Sequence, residues 1–280
     1  MNKRSSLLQR FVAAPYTVWS VLFIVIPLVM VVYYTFTNGN GEWTTANVLK
    51  LFEKEYVSIF VRSVVYAFLA TLICLLIAFP LAYFISQTTA RTQKIAIMLT
   101  MLPMWTNLVI RTYSLANLIQ DTGVVNNFLQ NIGIIAEPIH MIDTPFAVIL
   151  GMVYNYLPFM VLPIYTVISK LDKNVIEASQ DLGCNRFKVV TKVILPLSKS
   201  GIVSGITMVF VPAISTFYVS KKLGGTDNRL IGEVIEDSFF YSENWNFGSA
   251  ISFVLMIVIM ISIAVVNKFS DDEEDGGMIL

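Results

Sequence analysis

Little in this chain can make or break a covalent bond. His140 is the sole histidine, Cys74 lies in an apolar run and Cys184 in a polar stretch. There is no His-Glu-x-x-His, no Gly-x-Ser-x-Gly and no phosphate loop ending in Lys-Ser/Thr, so the residues for zinc hydrolysis, acyl transfer and nucleotide binding are missing. Two distant cysteines support neither a disulfide framework nor a metal site of ordinary ligand spacing. What remains is the chemistry of recognition. Trp105, Tyr113, Tyr154, Tyr156 and Tyr218 offer π faces that attract cations weakly. Asn107 and Asn155 are neutral hydrogen-bonding groups beside them, and Arg111 is a fixed positive charge. A second group, Glu177-Ala178-Ser179-Gln180-Asp181-Leu182-Gly183 through Val193-Ile194-Leu195-Pro196, is polar and basic and lies between two hydrophobic stretches. That placement suits a docking surface, although an ordinary basic loop would carry the same charges.

The elements that position these residues must be membrane helices. Hydrophobic residues make up 56% of the chain and charged residues 14%, and the mean hydropathy is +0.70, which excludes a soluble domain of this length. A net charge of zero gives no bulk field to recruit nucleic acid. Crossing the hydrocarbon core takes roughly 20 mostly apolar residues. Six stretches qualify, at about 13–35, 60–86, 95–118, 146–169, 201–219 and 247–267. The first is too long for a cleavable signal and lacks a small-residue cleavage pattern, so it is expected to be retained. Prolines 27, 80, 103, 158, 163 and 212 fall within spans, where neighbouring helices or cavity water can satisfy the freed carbonyls. The spans hold no Asp or Glu, which argues against a tight cation site within them.

Loop charge sets the expected orientation. Lys3, Arg4, Arg10, Arg91, Lys94, Lys170, Lys173, Arg186, Lys188, Lys192, Lys199 and Lys268 fall on one side; Lys50, Lys54, Arg62, Lys221, Lys222 and Arg229 fall on the other. The richer side, with both termini and residues 170–200, is expected to be cytoplasmic. The acidic tail Asp271–Asp275 does not oppose this, because acids contribute little to the rule. A straight third span would put Arg111 in its outer third, about 16 residues from the start at roughly 1.5 Å each, as a charge paired with an external acid or helix-end carbonyls, or as a gate.

Within the basic segment, Asn174 can cap a helix over about 175–182, with Glu177 reaching back and Gly183 as a left-handed stop. A second helix from Asn185 would gather Phe187, Val190, Val193 and Ile194 on one apolar face and end at Pro196.

The segment resembles the cytoplasmic signature of binding-protein-dependent ABC importer permeases: Glu-Ala-Ala, three residues, Gly, nine residues, Ile-x-Leu-Pro. Ser179 replaces the second Ala and Val193 the Ile, both conservatively. Pro103-Met104-Trp105-Thr106-Asn107 through Ile110-Arg111-Thr112-Tyr113 is similar to a run in the permeases of spermidine/putrescine importers. So are Leu157-Pro158-Phe159-Met160-Val161-Leu162-Pro163, Phe217–Ser220 with Gly224-Gly225, and Leu230-Ile231-Gly232. The resemblance implies an all-α integral membrane protein with six transmembrane helices and the type I ABC importer permease architecture. It divides the chain into a cytoplasmic segment 1–12, a first span and external loop 13–58, a transmembrane domain 59–268 with its coupling segment 170–200, and an acidic tail 269–280. It further implies that Glu177, Ala178, Ser179, Asp181, Gly183, Leu195 and Pro196 couple to an ATPase. Independently of the resemblance, the π faces and amides of Trp105, Asn107, Tyr113, Tyr154, Asn155, Tyr156 and Tyr218 make them the candidates for a weakly binding substrate pathway. The expected partners are a second permease subunit, two ATPase copies that bind ATP and Mg, an extracytoplasmic polyamine-binding protein and the lipid of a bacterial plasma membrane, with no nucleic acid and no cofactor in this chain. An importer of another small solute such as an inorganic anion is the alternative, with Arg111 as the natural ligand. A secondary transporter is weaker, lacking acids in the spans and inverted repeats, as is an intramembrane enzyme.

Overall fold

The computed structural model describes residues 15–271, and every regular element among them is a helix. In chain order these are α1 (Pro15–Thr35), α2 (Ala46–Lys50), α3 (Lys54–Ser86) and α4 (Ala90–Met101). Next come α5 (Leu108–Ile119), α6 (Val124–Asn131), α7 (Pro145–Ile168) and α8 (Lys173–Asp181). The rest are α9 (Arg186–Leu197), then α10 (Lys199–Ile214), α11 (Tyr218–Leu223), α12 (Ile231–Phe240) and α13 (Trp245–Asp271). The expected segments 1–12 and most of 269–280 lie outside the described residues.

Four helices, α1, α3, α7 and α13, are long and apolar enough to cross a membrane, and two bent pairs bring the number to six if each is one span. The first bend corrects the sequence reading of the third span, whereas the second falls ahead of the expected fifth span, close to where Pro196 was expected to end a helix. Ala90–Trp105 and Leu108–Asn131, which takes in α5 and α6, are bent by 96°, and α9 and α10 by 69°. The first break follows Pro103: Leu102–Trp105 tightens into a 3₁₀ turn, and Thr106 and Asn107 are extended. The Asn107 side chain then caps α5, accepting from the Val109 amide at 2.7 Å, which supplies a bond that a straight helix would have made for itself. At the second break the buried Ser198 hydroxyl donates to the Ile194 carbonyl and, at 3.3 Å, to that of Leu195. The fifth span also stops at Ile214 rather than near 219.

The chain forms two compact units. In the larger, residues 58–233 with 259–280, α3 turns a stripe of Ala67, Ala70, Cys74, Ala78 and Ala82 inward, all fully buried. Spacings of three and four put these small residues on one helix face, and the Cys74 sulfur approaches the Val153 carbonyl of α7 at 3.9 Å. On its other side α7 meets α10. A Cβ on Gly201 would lie 2.8 Å from the Pro163 carbonyl, and one on Gly205 2.6 Å from the Met160 sulfur. Without a hydrophobic driving force between helices in lipid, such close backbone approach is what packing rests on. One end of this unit is tied by polar bonds. Tyr66 donates to the Asn228 side chain at 2.9 Å, Asn228 donates to the Asp143 carbonyl at 2.9 Å, and the Ile231 amide donates to Ser63 at 2.8 Å.

In the smaller unit, residues 1–57 with 234–258, no residue of the apolar window of α1 is buried. Its end is secured by two amides. Asn47 donates to the Thr35 and Thr37 carbonyls at 3.2 and 2.8 Å, and Asn246 donates to Thr37 at 2.7 Å. The Lys50 ammonium sits over the Phe247 ring, 4.7 Å from its centroid.

Replacing Gly201 with Leu should therefore lower the melting temperature of the purified protein by several degrees, since overpacking costs about 1–3 kcal/mol. Gly39→Ala, where no atom lies within 4 Å of the added carbon, should leave it unchanged.

Candidate functional site

The basic segment is built as two capped helices, and its cap differs from the expected one. Asp172, not Asn174, is the N-cap of α8; its carboxylate accepts from the Asn174 amide at 2.9 Å. A carboxylate at a helix N-terminus is favoured by both the orphan amides and the macrodipole, so the Asp outcompetes the Asn two residues on. Glu177 then lies in the second turn and closes no capping box. At the other end Gly183 takes φ +85°. The Gly183 amide bonds the Gln180 carbonyl at 2.8 Å and the Cys184 amide bonds the Ser179 carbonyl at 3.1 Å, the paired bonds of a Schellman stop. Asn185 caps α9 as expected, accepting from the Lys188 amide at 2.8 Å.

The apolar face of α9 also differs. Val189 and Ile194 are the buried residues, whereas Phe187 is 75% exposed. A widened turn at Val190–Ile194 shifts the register of the face. Glu177, Ala178 and Asp181 are exposed, Ser179 is half-buried with its hydroxyl on the Ile176 carbonyl at 2.7 Å, and Leu195 and Pro196 are exposed. Glu177 also lines a polar cavity of about 290 Å³ with Gln180 and, from the α3–α4 turn, Ser86, Gln87 and Thr88. The structure thus joins Glu177 to the end of another span, which the sequence did not reveal.

Of the residues expected to line a pathway, Trp105 and Asn107 lie at the bend between α4 and α5, Tyr113 follows on α5, Tyr154, Asn155 and Tyr156 are on α7, and Tyr218 opens α11. Trp105 is 78% exposed, and Asn107 is committed to capping. Because the span is not straight, counting residues from its start no longer sets the depth of Arg111. Its Nε and Nη1 are buried and carry no hydrogen bond, so neither the external acid nor the helix-end carbonyls expected for them is in place. Adjacent residues of α7 reach to different elements. Asn155, fully buried, donates to the Gly151 carbonyl at 2.8 Å and to Thr112 of α5 at 3.3 Å, while its Oδ1 is left without a partner. Tyr156 is buried, and Thr216 and Arg111 are near enough to act on its hydroxyl. Tyr113 and Tyr154 are largely exposed and Tyr218 is half-buried at the start of α11. Among the described residues no ring contact joins Trp105, Tyr113, Tyr154 and Tyr218.

Sequence reasoning missed Glu233. It is only 7% exposed, accepts from Ser220 at 3.2 Å and pairs with Arg229 at 3.1 Å. The sequence signal was an Arg four residues earlier; in the structure Arg229 lies just before α12, and an added Cβ on the neighbouring Gly232 would strike the Ser215 carbonyl. The α12 start therefore lies against the backbone just beyond α10, and Glu233 goes in with it.

The sequence matches the family of binding-protein-dependent transport system inner membrane components over residues 2–272. The chain belongs to that family. It is 38% identical over 263 residues to the spermidine/putrescine transport system permease protein PotB of Haemophilus influenzae, covering 92% of each chain. With the protein of the same name from Escherichia coli it shares 38% identity over 247 residues, 86% of this chain and 90% of that one. Its fold is similar to that of a bacterial ABC transporter involved in the import of the acidic polysaccharide alginate, with a TM-score of 0.80 at 17% identity over 96% of both chains. This inner membrane component therefore has the type I ABC importer permease fold.

In the permease, the order of α8 depends on its two ends. Asp172→Ala should raise amide exchange across 174–181 about fivefold, the effect of losing about 1 kcal/mol of capping. Gly183→Val, which forces a β-branched residue to positive φ, should raise it further. Glu177→Ala should leave it nearly unchanged, whereas a capping box would make Glu177→Ala resemble Asp172→Ala.

Proposed function

We propose that this chain is the membrane-spanning permease subunit of an ATP-driven importer of linear polyamines, spermidine and putrescine. It forms half of the translocation pathway, largely from residues 59–268, beside a second homologous permease subunit. An extracytoplasmic polyamine-binding protein delivers cargo, and two copies of a cytoplasmic ATPase bind ATP and Mg and perform the hydrolysis. Both termini and the segment 170–200 face the cytoplasm. The observation that carries the cargo assignment is the near-full-length identity to permeases named for spermidine/putrescine transport.

The geometry supports the coupling role. A helix fixed at both ends and anchored within a few residues to α7 and α10 can pass a push from a soluble partner to both spans. Its loop leaves Leu182 87% exposed beside the exposed Phe187, between Arg186 and Lys188. Uncovered apolar side chains in a basic setting mark a protein-binding surface. For the pathway, exposed aromatic faces without free acids suit weak, releasable contact with ammonium groups.

The anion reading has one observation in its favour, the two buried and unpartnered nitrogens of Arg111. The two readings separate in uptake. In vesicles energised with ATP, labelled spermidine should enter, excess putrescine should compete, and phosphate and sulfate should not. Competition by phosphate or sulfate that disappears in Arg111→Gln would overturn the polyamine assignment in favour of the anion.

A further inference from the structure

The ring of Tyr113 already carries a cation. The Lys222 ammonium, from the last turn of α11, stands 4.7 Å from the ring centroid of Tyr113 on α5. Tyr113 is 51% exposed, so the ring is not sealed by this contact. The helix that bears the lysine is fixed. Val219 and Leu223 are fully buried, and an added Cβ on Gly151 of α7 would lie 2.9 Å from Val219 and would strike Leu223. Only the long, flexible side chain of Lys222 is therefore free to move. Among the described residues its ammonium has no carboxylate within ion-pair distance. The nearby acid of α12, Glu233, is engaged by Arg229 and by Ser220, which shares α11 with Lys222.

We propose that Lys222 is a tethered competitor for cargo. Its ammonium holds the Tyr113 face when the pathway is empty and yields it to an ammonium group of a passing polyamine. The inference rests on the polyamine reading above. One primary ammonium replaces another on the same ring, so the intrinsic attraction of the ring largely cancels. What remains is the competition of a tethered group that already stands over the ring. The ring then never becomes a trap. Neutral solutes have nothing with which to displace Lys222, which lets the residue discriminate against them as well. When a polycation approaches, like-charge repulsion favours swinging the lysine away, and its four-carbon stem permits that.

The test uses the purified complex of both permeases and the ATPase, without the binding protein, and equilibrium dialysis with labelled spermidine. Lys222→Gln should tighten spermidine binding by roughly 2- to 30-fold, the span of one cation–π contact. Lys222→Met, which keeps the stem without the charge, should do the same, and Lys222→Arg should behave as the parent. In a Tyr113→Leu background Lys222→Gln should add nothing. Unchanged or weaker binding in Lys222→Gln overturns the inference, as does tightening that persists without the Tyr113 ring. Failure of both neutral variants to assemble would also overturn it, by making the lysine structural. Uptake by the parent complex with its binding protein is measured in parallel. If the parent takes up no spermidine, the polyamine reading and this inference fall together; if it does and Lys222→Gln binds as the parent, the inference alone falls.

Discussion

A backbone amide or carbonyl that leaves a helix inside a bilayer has no water to turn to, and this requirement decides where the chain can bend. The bend between α4 and α5 solves it with a side chain, Asn107 taking up the Val109 amide at the start of α5; the bend between α9 and α10 lies in the polar segment, and there Ser198 takes up the carbonyls of the last turn of α9. The helices that stay straight need no such help, and α7 runs through Pro158 and Pro163 unbroken with α10 packed against it. Trp105 and Asn107 lie at one bend, Arg111 and Tyr113 follow it on α5, and the basic segment leads into the other.

The second bend gives the basic segment its mechanical character. A loop between two membrane helices would ordinarily absorb a push by flexing. Here Asp172 fixes one end of α8, a left-handed glycine with two backbone bonds fixes the other, and α9 begins at its own cap two residues later. Few soft torsions remain between this surface and the spans, which is what the proposed coupling role requires: a push on the surface would pass to α7 and α10, which meet closely at Gly201.

Much of this was legible in the sequence, because bilayer thickness and apolar run length are the same quantity in two forms. The spans at α1, α3, α7 and α13 follow from that alone, and the Gly183 stop and Asn185 cap follow from local chemistry. The misses have equally physical causes. A proline such as Pro103 licenses a kink, a break or neither, and the outcome depends on whether a residue such as Asn107 can serve the freed amide. Asp172 and Asn174 are both good caps, and the sequence does not say which will lie at the boundary. Phe187 and Val189 exchanged roles because a widened turn rotated the face. Glu233 was missed because its partner Ser220 reaches it only when α11 and α12 pack.

The central claim is that residues 172–197 form the surface on which a cytoplasmic ATPase acts. The chain supplies its own probe: Cys184 is half-buried immediately after the Gly183 stop, while Cys74 is fully buried in the α3 stripe. A short maleimide photo-cross-linker attached at Cys184 in membranes containing the assembled transporter, followed by identification of the adduct, measures the contact directly. The account predicts an adduct with a nucleotide-binding subunit, lost in Cys184→Ser. An adduct with the extracytoplasmic binding protein, or no adduct from membranes in which the ATPase co-purifies with this chain, would contradict it.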